Sequence, residues 1–334
     1  MGEKNRIKKV VFFKDEINLS DAFSFFDMKD FSGKDVPLKL HMGERKNKYY
    51  PRPNFVRKVV SELNKLNVKP YLFDTTVAYN GLRHTKTGYH KLAELNGFSK
   101  DKIGCDVVID DEGVCVNVEN RDYIVADHIY KSSFIVALSH VKGHIGIGMG
   151  GAIKNFGMGG VTKETKIKMH HRSRPIYDST KCNLCARCAE VCPFNAITVD
   201  DKGWNQNMDS CFGCGVCIDS CNTDSLTHKD VDLQYSIACS AYACTKDKKV
   251  VYINDINRIA KSCDCDPSAG PIICPDIGYL VSDDPVAIDK ASLDLIYDKR
   301  ENIFQIKNNV DPLKQINFGE DIGLGNSSYK LIEL

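Results

Sequence analysis

The sequence has no apolar stretch both long and uncharged. Its most apolar long stretch, residues 134–160, is broken by His140, Lys142, His144 and Lys154, whereas a membrane-spanning helix needs about 20 nearly uncharged residues. A membrane is therefore not an expected partner. The start, MGEKNRIKKVVFFKDE, holds only four apolar residues in a row, too few for a secretory signal core, and reads as unprocessed. Position 6 is Arg, not the Ser or Thr of a myristoylation signal. Net charge is also scarce: 45 Lys plus Arg against 44 Asp plus Glu leaves +1, with no global pull toward nucleic acid or anionic lipid. No basic motif interleaved with aromatics points to nucleic acid either. A Gly-x4-Gly-Lys-Ser/Thr phosphate loop is missing, which removes that class of nucleotide site.

Cysteine is what the sequence has in excess. Fifteen in 334 residues, with no export signal, point to metal ligation or redox chemistry in a reducing cytoplasm rather than to structural disulfides. With 43% hydrophobic and 27% charged residues, the composition is that of an ordinary globular chain, long enough for one large domain or two to three smaller ones.

Eight of the cysteines fall in two runs, CNLCARCAEVCP and CFGCGVCIDSCN. Both fit Cys-x2-Cys-x2-Cys-x3-Cys, the run associated with 4Fe-4S ligation, because three thiolates from one tight loop can grip a face of a cubane. Zinc also uses Cys-x2-Cys pairs, but a tetrahedral ion has no need of this tandem arrangement. The runs resemble bacterial two-cluster ferredoxins over about 50 residues. In such folds the fourth cysteine crosses to the other cluster, which assigns Cys182, Cys185, Cys188 and Cys221 to one 4Fe-4S cluster and Cys211, Cys214, Cys217 and Cys192 to a second. Pro193 follows the first run, whereas Asn222 stands at the equivalent place in the second. The two runs are 29 residues apart, with Ile197 mapping onto Leu226 and Thr198 onto Thr227, so each half is expected to supply a binding loop, a short helix and a strand.

On either side the pattern is α/β. Val10–Phe13, Tyr71–Phe73, Val107–Ile109, Phe134–Leu138 and Val250–Ile253 read as buried strands. Phe55, Val56, Val59, Val60, Leu63 and Leu66 form one helical stripe, and residues 87–96 form a second helix. Asp284 as N-cap and Pro285 at the first position open a helix through Tyr297. The expected organisation is an α/β main domain, residues 1–172 plus 231–334, with residues 173–230 an inserted ferredoxin-like (α+β) module. Two consecutive independent domains are the alternative.

Four further segments stand out: KLHMGE at 39–44 with NKYYPRP at 47–53, SHVKGH at 139–144, GGAIKNFGMGG at 150–160, and CDC at 263–265 followed by PDIGYLVSDDPVAIDKASLDL at 275–295. Together they resemble the iron-sulphur centre proteins of domain-of-unknown-function family 362 (DUF362) over nearly the whole chain. That resemblance implies a ferredoxin segment within the chain and names no reaction.

Residues 143–160 contain eight glycines. Such density either lets backbone N–H groups reach an anion or packs a strand against a helix. Gly146-x-Gly148-x-x-Gly151 alone is weak evidence for a dinucleotide. His140, Lys142 and His144 follow an apolar strand, where α/β sheets place ligands, and with Lys154 they are the candidate catalytic groups. Cys263 and Cys265 flank Asp264 and are the candidate ligands of a third metal site. An anionic ligand at the lysines is the other candidate for this domain. His41 and Glu44 read equally as structural hydrogen-bonding groups. Cys105, Cys115, Cys239, Cys244 and Cys274 read as buried inert thiols. The basic stretch Lys163–Arg174 reads as a solvated linker, with docking of an acidic electron carrier as the alternative. The expected function is an iron-sulphur oxidoreductase whose module exchanges electrons with a redox partner protein and with a site for a small-molecule substrate in the α/β domain. A non-catalytic electron carrier and a metal-handling protein are the alternatives.

Overall fold

The fold, a computed structural model, describes residues 7–334. The Met1-Gly2 start and Arg6 lie outside the described residues. An eight-stranded sheet runs through the molecule. Its strands in chain order are β1 (Lys8–Phe13), β2 (Asp35–Lys39), β3 (Lys69–Thr75), β4 (Val107–Asp110), β5 (Phe134–His140), β6 (Lys249–Ile256), β7 (Gly278–Ser282) and β8 (Tyr329–Glu333). In space the order is β8-β1-β7-β6-β5-β2-β3-β4. Only β7 runs antiparallel to its neighbours; the other adjacent pairs are parallel. This is a mixed α/β fold on a mainly parallel sheet.

Alternation along the strands builds two cores, one per face. Val10, Ile135, Ala137, Val250 and Tyr252 join one apolar cluster, while Val11, Val136, Leu138, Val251 and Ile253 join the other. The second face is covered by α1 (Pro53–Lys65) and α2 (Lys86–Leu95), whose Phe55, Val56, Val59, Leu63, Tyr89 and Leu92 are buried there. The first face is covered by α3 (Ala152–Gly157), α5 (Leu233–Thr245) and α6 (Pro285–Lys299). Asp284 caps α6 by accepting from the Val286 and Ala287 N–H groups at 2.9 Å, with Pro285 at its start.

The basic stretch is not a linker. Lys163–Arg172 forms a helix, α4, in which Thr165, Lys166 and Met169 are buried. Nor is Cys115 buried: it is exposed on the Gly113–Val118 strand, while Cys105, Cys239, Cys244 and Cys274 are buried. The Gly146-to-Gly151 run lies at a small hairpin, Lys142–His144 against Gly148–Gly150, rather than in a strand-to-helix phosphate loop.

After α4 the chain leaves the main sheet and returns before α5. Pro175–Tyr177 pairs antiparallel with Leu226–His228. The ends of the excursion lie side by side, Lys229 N–H donating to the Arg174 carbonyl at 2.8 Å and Asp230 N–H to the Arg172 carbonyl at 2.9 Å. Within it, Ile197, Cys217 and Leu226 form a small apolar cluster of their own. The 29-residue repeat recurs in space: short helices Arg187–Glu190 and Val216–Asp219 and strands Ile197–Asp200 and Leu226–His228 occupy equivalent places. Each cysteine loop turns through two residues of positive φ, Leu184 and Ala186 in one, Gly213 and Gly215 in the other, all between 55° and 80°.

Candidate functional site: a cationic cavity beside the cysteine loops

The parallel strands end at one edge of the sheet, where connections from β2 and β5 depart in opposite directions. Such a switch point leaves a crevice at the carboxyl ends of the strands. Here it holds a cavity of about 540 Å³. Lys39 ends β2, Asp74 stands near the end of β3, and Ser139 and His140 end β5; all four line it. Among the described residues, six cationic side chains, Lys39, Arg83, Lys142, Lys154, Lys166 and Arg174, line the cavity against one carboxylate, Asp74. A wall of this sign suits an anionic ligand.

Asp74 collects two of these cations and a tyrosine. Lys39 Nζ donates to it at 2.9 Å, an Arg83 Nη lies 3.5 Å away, and the Tyr89 hydroxyl also donates. Burial pushes the Asp74 carboxyl up, but Lys39, Arg83 and Lys166 outweigh it and hold it below the usual carboxylate range. Lys166, inside α4, donates to Thr75 Oγ1 at 2.6 Å, and burial brings its ammonium down to about 7.

The loop between β6 and β7 carries Cys263, Asp264 and Cys265. Asn47, from the NKYYPRP segment, anchors it by donating to the Cys263 and Asp266 carbonyls at 3.3 and 2.7 Å. Asp264 lies 2.8 Å from His140 Nδ1 and 2.9 Å from Lys142 Nζ. His140 Nε2 meets the Asn257 carbonyl at 2.9 Å, so both of its nitrogens are occupied and the ring positions Asp264 rather than presenting a free nitrogen. Lys154 Nζ donates to Cys263 Sγ at 2.8 Å. A hydrogen bond from Cys265 draws the Cys263 thiol well down; burial opposes this, and Lys154 and Lys142 reinforce it. Cys263 is the thiolate of the pair, and Cys265 keeps the proton. His144 accepts from Gly146 N–H at Nδ1, 3.1 Å, and burial, helped by Lys154, keeps it a neutral imidazole. Donor atoms of His144, Cys263 and Cys265 all lie within 4.8 Å of one another. The structure thus brings His140, Lys142, His144, Lys154, Cys263 and Cys265 together.

The glycine-rich run contributes differently from a phosphate cradle. The Ala152 and Ile153 N–H groups at the start of α3 are spent on Asp289, at 2.7 and 2.9 Å, so the charge for an anion comes from side chains. Gly146 has another use: a Cβ there would meet Cys214 Cβ at 3.2 Å, so the glycine lets the hairpin that carries His144 lie against a cysteine loop. His41 Nδ1 accepts from Gly43 N–H at 2.9 Å, and Glu44 accepts from Arg45 N–H and Tyr79.

The eight cysteines of the repeat sort into two sets in space. Cys182, Cys185, Cys188 and Cys221 surround one small cavity, and Cys192, Cys211, Cys214 and Cys217 surround another. Each set crosses the repeat, three cysteines from one run and the fourth from the other. Backbone N–H groups of Leu184 and Ala196 donate to Cys182 and Cys192 sulphurs at 3.4 and 3.3 Å. Burial pushes the Cys221 thiol up, yet hydrogen bonds led by Ser225 bring it down to about 6. Among the described residues, no three of these eight gather as tightly as His144, Cys263 and Cys265 do. That wider spacing fits a cubane better than a single ion. Cys211 and Phe212 also line the large cavity, with Phe212 packed on His170 at 4.1 Å between ring centroids.

None of Lys39, Asp74, Arg83, Lys166 and His170 is assigned to this site from the sequence, although Lys39 lies in KLHMGE and Lys166 and His170 in the basic stretch. Lys39 and Asp74 carried a signal: each is a charge at the carboxyl end of an apolar run, VPLK and YLFD. Lys166 and His170 were hidden in a segment whose charge density reads as solvent-exposed.

The cysteine segment is similar to small iron-sulphur proteins. It is 38% identical over 55 residues to a Methanothermococcus thermolithotrophicus ferredoxin, covering 16% of this chain and 92% of that one. It is 38% identical over 55 residues to the pyruvate synthase subunit PorD of Methanocaldococcus jannaschii, covering 16% of this chain and 64% of that one. The match to the NADH-dependent phenylglyoxylate dehydrogenase delta subunit of Aromatoleum evansii, 35% over 48 residues, covers 14% of this chain and 52% of that one. The chain thus spans less than two thirds of the length of the latter two relatives. Among solved structures, the lactate racemase apoprotein of Thermoanaerobacterium thermosaccharolyticum aligns with 77% of this chain and 52% of its own at 11% identity and TM-score 0.39. A Thermotoga maritima protein aligns with 89% of this chain and 59% of its own at 10% identity and TM-score 0.44; at these scores neither likeness carries an argument. The family described as "Domain of unknown function (DUF362)" matches residues 36–294. The chain belongs to the DUF362 family and carries a ferredoxin-like segment within it.

Proposed function

We propose that the protein is an iron-sulphur oxidoreductase in which an inserted two-cluster module, residues 173–230, exchanges electrons with a small anionic molecule bound in the cationic cavity of the α/β domain. The observation that carries this reading is that one cysteine set reaches the cavity: Cys211 and Phe212 form part of its wall. The cluster on Cys192, Cys211, Cys214 and Cys217 is then the inner one. The cluster on Cys182, Cys185, Cys188 and Cys221, whose Cys185 is exposed, is the outer one and faces a redox partner protein. A 4Fe-4S cluster moves one electron at a time, so two in series store the pair that a small molecule needs. The cavity residues do the rest. Lys142 and Lys154 neutralise the anion, His140 and Asn47 fix the CDC loop, and the Cys263/Cys265 thiolate–thiol pair sits where a proton can be held. Ferredoxins and this cysteine content also suit a reducing cytoplasm.

The test uses anaerobic holoprotein with its clusters reduced, mixed with a panel of small carboxylate and phosphate oxidants while cluster absorption is followed. Bleached clusters recover with a substrate and do not recover in Lys142→Met at the same cluster content. Recovery that occurs only with a protein acceptor, and is unchanged in Lys142→Met, leaves the carrier reading in its place.

A further inference from the structure

We propose that His144, Cys263 and Cys265 bind a divalent metal ion of the zinc class, a mononuclear site apart from the eight cysteines of the repeat and open toward the large cavity. Two thiols and an imidazole from two distant parts of the chain meet with every donor atom within 4.8 Å of the others. A tetrahedral ion with metal–sulphur bonds of about 2.3 Å and metal–nitrogen bonds of about 2.0 Å spaces its ligands by roughly 3.5–3.8 Å, so small side-chain movements close the site. All three residues line the cavity, which supplies no further Cys, Asp or Glu donor within that distance among the described residues. Three protein ligands with the fourth position free is the pattern of ions that act on a bound molecule, whereas purely structural zinc is closed by four. Thiolate with imidazole selects zinc-like or softer ions over magnesium and calcium.

The surroundings hold the donors in place. Asn47 grips the loop through the Cys263 and Asp266 carbonyls. Such supporting contacts commonly set metal affinity. Binding balances in charge and protons: both cysteines bind as thiolates, any thiol proton leaving to solvent, and His144 binds as a neutral imidazole through its unprotonated nitrogen, so two negative sulphurs offset the two positive charges. Lys154, which pairs with Cys263 at 2.8 Å, is released toward the open position, where an anionic ligand of the metal would meet it. The site does not depend on electron transfer through the module. Its nearness to the inner cysteine set, by way of Gly146 against Cys214, would set a metal-bound molecule beside the electron source proposed above.

The test titrates chelator-washed anaerobic holoprotein, clusters intact and thiols reduced, with Zn(II) and separately with Co(II). One equivalent of each is expected, with Co(II) giving the visible bands of a tetrahedral thiolate site. Cys263→Ser/Cys265→Ser loses that equivalent while iron and sulphide content stay at the parent level. His144→Ala removes one of the three ligands, weakens binding and serves where the double variant does not fold. No equivalent bound by the parent protein, or one retained in both variants, overturns the proposal. A parent protein that binds no metal yet shows substrate-driven cluster recovery overturns the metal site alone and leaves the electron-transfer reading standing.

Discussion

Buried charge decides what the individual residues of the cavity do. Asp74 neutralises Lys39 and Arg83 at a place where all three are almost inaccessible. Removing one partner of a buried pair strands the other, at a cost of about 3–5 kcal/mol. Asp74→Asn is therefore expected to lower stability by about that amount, read as a shift in the anaerobic urea midpoint by circular dichroism; a loss under about 1 kcal/mol would show that the cations are solvated instead. Lys166 makes the second prediction. Burial brings it to about 7, so its charge is present below that pH and lost above it. Binding of a small dianion such as oxalate should weaken by roughly threefold to tenfold as pH rises through that value. Lys166→Arg, always charged, should abolish the step. Calorimetric titration on both sides of neutrality checks this, and a pH step that persists in Lys166→Arg contradicts it.

The elements that were legible in the sequence are those with a clean period. β1, β3, β4, β5 and β6 stand out as short apolar runs, and α1, α2 and α6 as stripes or by their cap. The missed elements each hide their pattern. β2 contains Pro37, which cannot donate to a ladder, yet it lies between β5 and β3. α5, LQYSIACSAYACT, is buried on almost every side and so shows no amphipathic period. α4 was masked by its lysines and histidines. The grouping of the eight cysteines into two sets was legible in their spacing, and the meeting of His140, Lys142, His144, Lys154, Cys263 and Cys265 in the way unusual residues flank strand ends. Their partners Asp74 and Arg83 were not, since a buried ion pair is a property of three dimensions. The module's adjoining ends, Arg174 and Lys229, are joined by a backbone hydrogen bond of 2.8 Å, and its small apolar cluster is separate from the two main cores. Replacing residues 175–228 by a short flexible linker should accordingly leave a soluble α/β domain with native-like circular dichroism. An unfolded product would mean that the module completes the main core.

At the scale of the whole molecule, the cationic cavity lies at the carboxyl ends of the parallel strands, and Cys211 of one cysteine set forms part of its wall, whereas no residue of the other set does. The proposed electron path has a direction only if both cysteine sets carry clusters. Seven of the fifteen cysteines lie outside the repeat, so metal content must be tied to the eight by substitution as well as by counting. The most direct measurement is iron and acid-labile sulphide analysis of anaerobically purified protein, followed by electron paramagnetic resonance after reduction, in the parent and in Cys214→Ser. The account predicts about eight iron and eight sulphide per chain in the parent, with a reduced spectrum showing magnetic interaction between two neighbouring clusters. It predicts loss of that interaction, with the outer cluster's own signal remaining, in Cys214→Ser. Stoichiometric zinc without sulphide, or a single non-interacting cluster in the parent protein, would contradict it.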